Sequence, residues 1–261
     1  MDFDDGTIVV TGAASGIGAA LCRRFAADGA RVVVALDIDA AGAEATAASL
    51  GAVGEWRTVD VSDEDQVRGA VRSIEDEIGP IDVWCSNAGI LVPGGMEVPT
   101  ESWHRILDVN VLAHVWAADE LVPRFLERGR GWLLHTASAA GLLSQIGSAP
   151  YSVSKHAAVA FAEWLAITYG AQGLGVSVLC PQAVDTAMTA GVAGGGVAGV
   201  DGMMGPDEVA AVAVEGIRAE RFLLLPHAEV AAYAQRRAAD HDRWVGGMQR
   251  LAARFPNGGM P

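Results

Sequence analysis

The sequence predicts an α/β protein with one doubly wound parallel sheet of about seven strands and helices on both faces. Three observations lead there. Short runs rich in Val, Ile and Leu alternate along the chain with longer helical stretches. The first run ends in a glycine-rich turn that opens a helix. Neither a linker nor an internal repeat divides the 261 residues, so residues 1–261 are expected to form a single domain with a full core.

The elements follow in order. Residues 7–12, TIVVTG, read as a β-branched strand meeting a turn, and 19–29, AALCRRFAADG, have helical spacing and a glycine stop. A second strand, ARVVVALD at 30–37, precedes the alanine-rich helix AAGAEATAASL at 40–50. Next come the strand EWRTVDV (55–61), the helix DEDQVRGAVRSIEDEIG (63–79) and the strand IDVWCSNAG (81–89). GWLLHTAS (131–138), GVSVLCPQ (175–182) and RFLLLP (221–226) supply three more strands, separated by helical segments. Right-handed crossovers between such units give a Rossmann-type sheet.

Two segments stand apart. Residues 191–205, GVAGGGVAGVDGMMG, carry too many glycines for a stable helix or strand, and their position suggests a mobile substrate lid. Residues 227–255 form an amphipathic helical segment suited to packing on the domain or on another subunit.

Composition excludes several classes of function. Hydrophobic residues make up 51% and charged residues 19%, which is globular rather than disordered. A net charge of -14 argues against nucleic acid as a partner, since a phosphate backbone needs a basic face. The two long uncharged runs, 131–154 and 164–184, are broken by Gly, Pro, Ser and Gln, so no membrane span is expected. The acidic N-terminus has no signal-peptide pattern. Cys22, Cys85 and Cys180 lie far apart and suit a reducing, cytoplasmic setting. The six histidines (104, 114, 135, 156, 227, 241) lack metal-ligand spacing, so no metal is expected. A Ser138–His135 hydrolase pair is rejected, because there is no G-x-S-x-G turn to present the nucleophile.

The chemistry-bearing residues fall into two groups. In TGAASGIG, Gly12, Gly16 and Gly18 would let the backbone approach a pyrophosphate at a helix N-terminus. Asp37 ends the second strand, where a carboxylate accepts bonds from ribose hydroxyls and repels a 2′-phosphate; Asp39 is a second candidate for that role. No Arg or Lys stands in the turn or just after Asp37, so NAD is preferred over NADP. The other group is Tyr151 and Lys155, one helical turn apart in YSVSK. Lys155 is the single lysine in a chain that otherwise uses arginine. A nearby ammonium favours the phenolate and draws a phenol of pKa near ~10 toward the working range. Arginine's planar fork is no substitute for such a compact charge.

TGAASGIG, Asp60-Val61, NAG at 87–89, Asn110, Ser138 in HTASAAG and YSVSK occur in the order that resembles the short-chain dehydrogenases/reductases, over roughly residues 5–190. The resemblance implies that Ser138 holds the substrate oxygen and that Tyr151 is the acid/base. It implies that Lys155 binds the nicotinamide ribose and tunes Tyr151, and that Asn110 positions a relay water. Gly12, Ser15, Gly16, Ile17 and Gly18 would hold the pyrophosphate, and Asp60 and Val61 would flank the adenine. Asn87, Ala88, Gly89, Pro181, Val184 and Thr186 would line the rest of the cofactor. The implied reaction interconverts a secondary alcohol and a ketone with NAD. A non-catalytic nicotinamide sensor and an NADP-dependent ketoreductase of acyl thioesters are the alternatives.

The chain has Pro181-Gln182 where the family usually has Pro-Gly, so Gln182 either adds an amide to the substrate pocket or alters a turn. Gln182 and Met188, with Ser138, are the substrate candidates. Leu91, Val92, Leu142, Leu143, Val184 and Met188 suggest a hydrophobic alcohol or ketone. The resemblance also implies a homotetramer, with residues 101–128 and 151–170 at an interface.

Overall fold

The computed structural model describes residues 3–255 and 258. Strands β1 (Thr7–Thr11), β2 (Val32–Asp37), β3 (Gly54–Thr58), β4 (Val83–Ser86), β5 (Gly131–Thr136), β6 (Leu174–Leu179) and β7 (Leu223–Leu224) form one sheet. Its order is β3-β2-β1-β4-β5-β6-β7, and every pairing is parallel. The expected doubly wound Rossmann-type sheet is the fold found. The helices are α1 (Gly16–Ala27), α2 (Ala40–Ser49), α3 (Glu64–Glu77), α4 (Thr100–Leu107), α5 (Ala113–Arg128), α6 (Ala140–Leu143), α7 (Ala149–Tyr169), α8 (Pro206–Arg218), α9 (Glu229–Ala239) and α10 (His241–Arg254).

The inner strands β1, β2, β4, β5 and β6 are buried and mostly apolar because both faces of the sheet are covered. In β1, Val9 joins Leu36, Trp84 and Leu133 in one core, while Ile8 and Val10 join Val33, Cys85 and Leu134 in the other. Val71 of α3, Leu121 of α5 and Ala162 of α7 close the first core; Leu21 of α1 and Val214 of α8 close the second. Each fully buried Val or Leu contributes roughly 1.5–3 kcal/mol relative to exposure.

The strands are mostly shorter than the sequence expectation, as β4, β5 and β6 show at their carboxyl ends, and β3 and β7 differ most in character. β3 stops at Thr58, short of Val61. β7 keeps only Leu223 and Leu224, an edge strand closed two residues later by Pro226, which has no N–H to donate.

Residues 191–205 hold two short turns within Ala193–Gly199 that meet at a kink, where Gly194, Gly195 and Gly196 take φ of 59, 75 and 57. Only glycine occupies three successive left-handed positions cheaply. The segment is tied to the loop after β6: Ala183 N–H donates to Ala198 O at 3.2 Å, and Asp185 N–H to Met204 O at 3.0 Å. In the C-terminal segment, Val230 of α9 packs with Ala139 and Leu143 beside α6. Arg237 donates to the Leu142 carbonyl at 2.9 Å.

The chain runs outward in both directions from β1 and β4, so their carboxyl ends border a crevice at the switch point of the sheet. No helix among the described residues is long and apolar enough to cross a membrane.

Candidate active site

Two cavities meet over the carboxyl ends of the strands. A cleft of about 690 Å³ runs from the β1–α1 turn past β4 and β5, and a cavity of about 860 Å³ lies between α6, the glycine-rich segment and α10. Both are lined by Ser138, Gln145, Gln182 and Ala198, so they join at Ser138.

The glycine turn forms one end of the cleft, with Gly12, Ser15, Gly16, Ile17 and Gly18 on its wall. A Cβ on Gly18 would stand 2.0 Å from the Gly12 carbonyl oxygen, so only glycine lets the turn close. Asp37 lines the cleft beyond it and accepts from Ala14 N–H at 2.9 Å and Asp39 N–H at 3.0 Å. Asp39 is diverted to capping α2 through Gly42 N–H and does not line the cleft, which separates the two acidic candidates. Asp60 and Val61 lie on the wall with Val59, and no Arg or Lys stands in the turn or just after Asp37.

Asn87, Ala88 and Gly89 follow β4 and are pinned from behind. The Thr11 hydroxyl accepts from Asn87 N–H at 2.9 Å and Ala88 N–H at 3.0 Å, and the Asn87 amide donates to Thr11 O at 3.0 Å. Thr136 completes the clamp by donating to Asn87 Oδ1 at 3.1 Å. Sequence reasoning missed Thr11 and Thr136; their signal is a hydroxyl at or beside the carboxyl end of a core strand.

The start of α7 presents the phenol and the ammonium. Ser148 caps the helix by accepting from Tyr151 N–H at 3.2 Å, while its own hydroxyl donates to Val92 O at 2.6 Å. This fixes Tyr151 in the first turn, where it lines the cleft together with Ser138. One turn later, Lys155 Nζ lies 5.6 Å from the Tyr151 ring centroid and donates to Thr136 O at 2.9 Å.

The electrostatics depart from the sequence expectation. Burial raises the Tyr151 pKa above 10, opposed by the Ser138 hydrogen bond, so the protein matrix alone does not produce the downward pull expected from Lys155. Lys155 is only 3% exposed, and burial pushes its pKa down to about 8.

Asn110 does not line the cleft. It sits in a π-helical turn at Asp108–Leu112, with no exposure. Its amide is engaged on both sides: Oδ1 accepts from Ile90 N–H at 2.9 Å, and Nδ2 donates to Ile90 O and Ser154 Oγ, each at 3.0 Å. A Cβ on Gly89 would stand 3.3 Å from both Asn110 Oδ1 and Lys155 Nζ, so both groups lie close beside this glycine.

Pro181, Val184, Thr186 and Met188 line the cleft after β6. Gln182 lines both cavities; its backbone N–H donates to His227 Nδ1 at 3.1 Å, and its Nε2 donates to Asp201 at 3.1 Å. Its Oε1 is buried with no protein partner. Of the apolar residues expected at the pocket, Leu91, Val184 and Met188 line the cleft, and Leu143 lines the second cavity. Val92 and Leu142 line neither, because they pack inward beside Tyr151 and α9. His114 and His135 pair in the core, Nδ1 to Nδ1 at 3.0 Å. No cluster of metal-ligating groups occurs among the described residues.

A family model described as short chain dehydrogenase matches residues 6–194. The chain is 43% identical over 228 residues to a 1-deoxy-11-beta-hydroxypentalenate dehydrogenase of Streptomyces exfoliatus, covering 85% of this chain and 82% of that one. It is 35% identical over 193 residues to a meso-2,3-butanediol dehydrogenase of Serratia marcescens, covering 73% and 76%. Among solved structures, it resembles a short chain dehydrogenase/reductase of Burkholderia phymatum in complex with NAD. The TM-score is 0.84 at 28% identity, covering 93% of this chain and 96% of that one.

Proposed function

The chain belongs to the short-chain dehydrogenase/reductase family, and from that premise we propose that it oxidises a hydrophobic secondary alcohol to the ketone with NAD. It is an NAD(P)-dependent dehydrogenase acting on CH–OH groups. One observation carries the proposal: Ser138, Tyr151 and Lys155 converge where the glycine-turned cleft opens into a second cavity.

The cleft residues fit a dinucleotide, since a side chain at Gly18 would close the turn onto Gly12 and the Asp37 carboxylate lies on the wall past it. Gly12, Ser15, Gly16, Ile17 and Gly18 would hold its pyrophosphate, and Asp37 would accept from a ribose hydroxyl and disfavour a 2′-phosphate. Asp60, Val61, Asn87, Ala88, Gly89, Pro181, Val184 and Thr186 would line the remainder. Bound nicotinamide supplies the hydride acceptor.

Ser138 orients the alcohol oxygen beside Tyr151. Tyr151 takes the hydroxyl proton as the carbinol carbon is oxidised. Lys155, held by Thr136, keeps a positive charge near the phenol and would bond the ribose of a bound cofactor. Asn110 acts from behind by fixing Ile90 and Ser154, and a relay water beside it is part of the proposal. Gln182 offers a buried, unpartnered acceptor at the junction, and Met188 contributes apolar surface.

Residues 191–205 would act as a lid, since Val197, Ala198 and Asp201 border the second cavity. The exposed Val153, Trp164 and Ile167 on α7 support a homotetramer with α7 at an interface. Three free cysteines, all buried, support a cytoplasmic setting.

The test is a panel of secondary alcohols assayed with NAD and with NADP, read by absorbance of the reduced cofactor. Turnover with kcat/KM at least tenfold higher for NAD is expected. Absence of turnover would overturn the oxidation reading, and a preference for NADP would favour a ketoreductase.

A further inference from the structure

The cavity that opens from Ser138 has an unusual wall for so acidic a chain. Arg236 of α9 and Arg243, Arg250 and Arg254 of α10 all line it. The three on α10 follow an i, i+7, i+11 spacing, which keeps them on one helical face. Many arginines elsewhere are engaged by carboxylates, such as Arg24 with Asp28 and Arg68 with Glu64 and Asp119. None of the four cavity arginines forms an ion pair among the described residues, in a chain of net charge -14.

The carboxylates on the same wall are occupied otherwise. Asp201 accepts from Tyr233 Oη at 2.9 Å and from Gln182 Nε2 at 3.1 Å. Asp240 caps α10 by accepting from Arg243 N–H at 2.9 Å. Arg236 lies 5.5 Å over the Tyr233 ring rather than against an acid. Between the guanidinium groups the wall is apolar, with Leu143, Trp244, Met248 and Leu251. A surface that is both apolar and rich in unneutralised guanidinium suits an amphipathic anion, and the planar fork matches a carboxylate.

We propose that α10 forms an anion subsite, and that the substrate is a hydrophobic secondary alcohol bearing a carboxylate, which Arg243, Arg250 and Arg254 hold while the alcohol lies at Ser138. This rests on the dehydrogenase reading above and names its substrate class.

The test compares adamantane-1-carboxylate with adamantane-1-carboxamide as ligands of the enzyme–NADH complex, by calorimetry. The carboxylate is expected to bind at least tenfold tighter, with the preference shrinking as salt rises. In Arg243→Gln/Arg250→Gln/Arg254→Gln the two should bind within twofold of each other, and the single Arg250→Gln should lose part of the preference. Retained NADH affinity certifies that each variant is folded. Equal binding, no binding of either probe, or a preference that survives the triple variant would overturn the subsite. A tighter, equally arginine-dependent fit of 3-hydroxybutyryl-CoA would overturn the carboxylate assignment in favour of a thioester. The alcohol panel separates the two claims: turnover of neutral alcohols without carboxylate preference removes only the subsite. Carboxylate preference without any turnover removes only the dehydrogenase reading.

Discussion

Lys155 Nζ donates to the backbone carbonyl of Thr136 at 2.9 Å, joining α7 to the end of β5. The Thr136 hydroxyl donates to Asn87, so the same residue holds the lysine and the wall of the cleft. Lys155→Arg keeps the charge but puts a wider, planar group into a site that is 3% exposed. We expect kcat/KM to fall by about a hundredfold or more, the scale of a misplaced catalytic group. Steady-state kinetics check this, and a variant within twofold of wild type would contradict the account.

Asp37 and Asp39 separate in the fold, the first on the cleft and the second capping α2. Asp37→Ser should therefore lower kcat/KM for NAD by roughly tenfold and raise it for NADP, because a charge facing the ribose is removed. Asp39→Ser should leave the cofactor ratio within twofold. The ratio of kcat/KM for the two cofactors is the readout.

Thr11 accepts two backbone N–H groups, those of Asn87 and Ala88, and is 4% exposed. Thr11→Val strands both donors, and each buried unsatisfied group costs about 1–3 kcal/mol. Urea unfolding should show a loss of about 2 kcal/mol, accompanied by a higher KM for NAD. Unchanged stability would show that the clamp is not needed.

His135 is wholly buried against His114, and burial pushes its pKa from 6.5 to about 4. Between those values the unfolded chain takes up a proton that the folded protein does not. The contribution to stability is thus full above pH 6.5 and is lost as pH falls through 4. Replacing the ring in His135→Phe should shrink the drop in unfolding free energy between pH 7 and pH 5 by about 2 kcal/mol. Urea midpoints at the two pH values measure it; an equal drop in both proteins would refute it.

The sequence carried the fold because the inner strands are mostly apolar and buried on both faces and every crossover is helical. β1 shows why: Val9 is buried on one face and Ile8 and Val10 on the other, so the run has no polar alternation to mislead. The glycine turn, Asp37 and the Tyr151–Lys155 pair were legible because their spacing alone brings them to strand ends or to one helical face. Three features were not. Asn110 is buried beneath the cleft with its amide bonded to Ile90 and Ser154, a position set by a π turn that no periodicity announces. Tyr151 was expected to have a lowered pKa, but desolvation raises it and outweighs the lowering by Ser138, and burial cannot be read from an i, i+4 pair. The tail was read as an amphipathic packing helix; that its arginines line a cavity depends on how α9 and α10 fold back toward Ser138.

The central claim is that Tyr151 moves the substrate proton within an otherwise complete cofactor site. Its most direct measurement is kcat and NAD affinity of Tyr151→Phe, which removes one hydroxyl and keeps the ring packed beside Lys155. Loss of general acid–base catalysis is worth roughly 10²–10⁴ in rate, so kcat should fall by that factor while the Kd for NAD stays within about twofold. Full turnover in Tyr151→Phe would contradict the account.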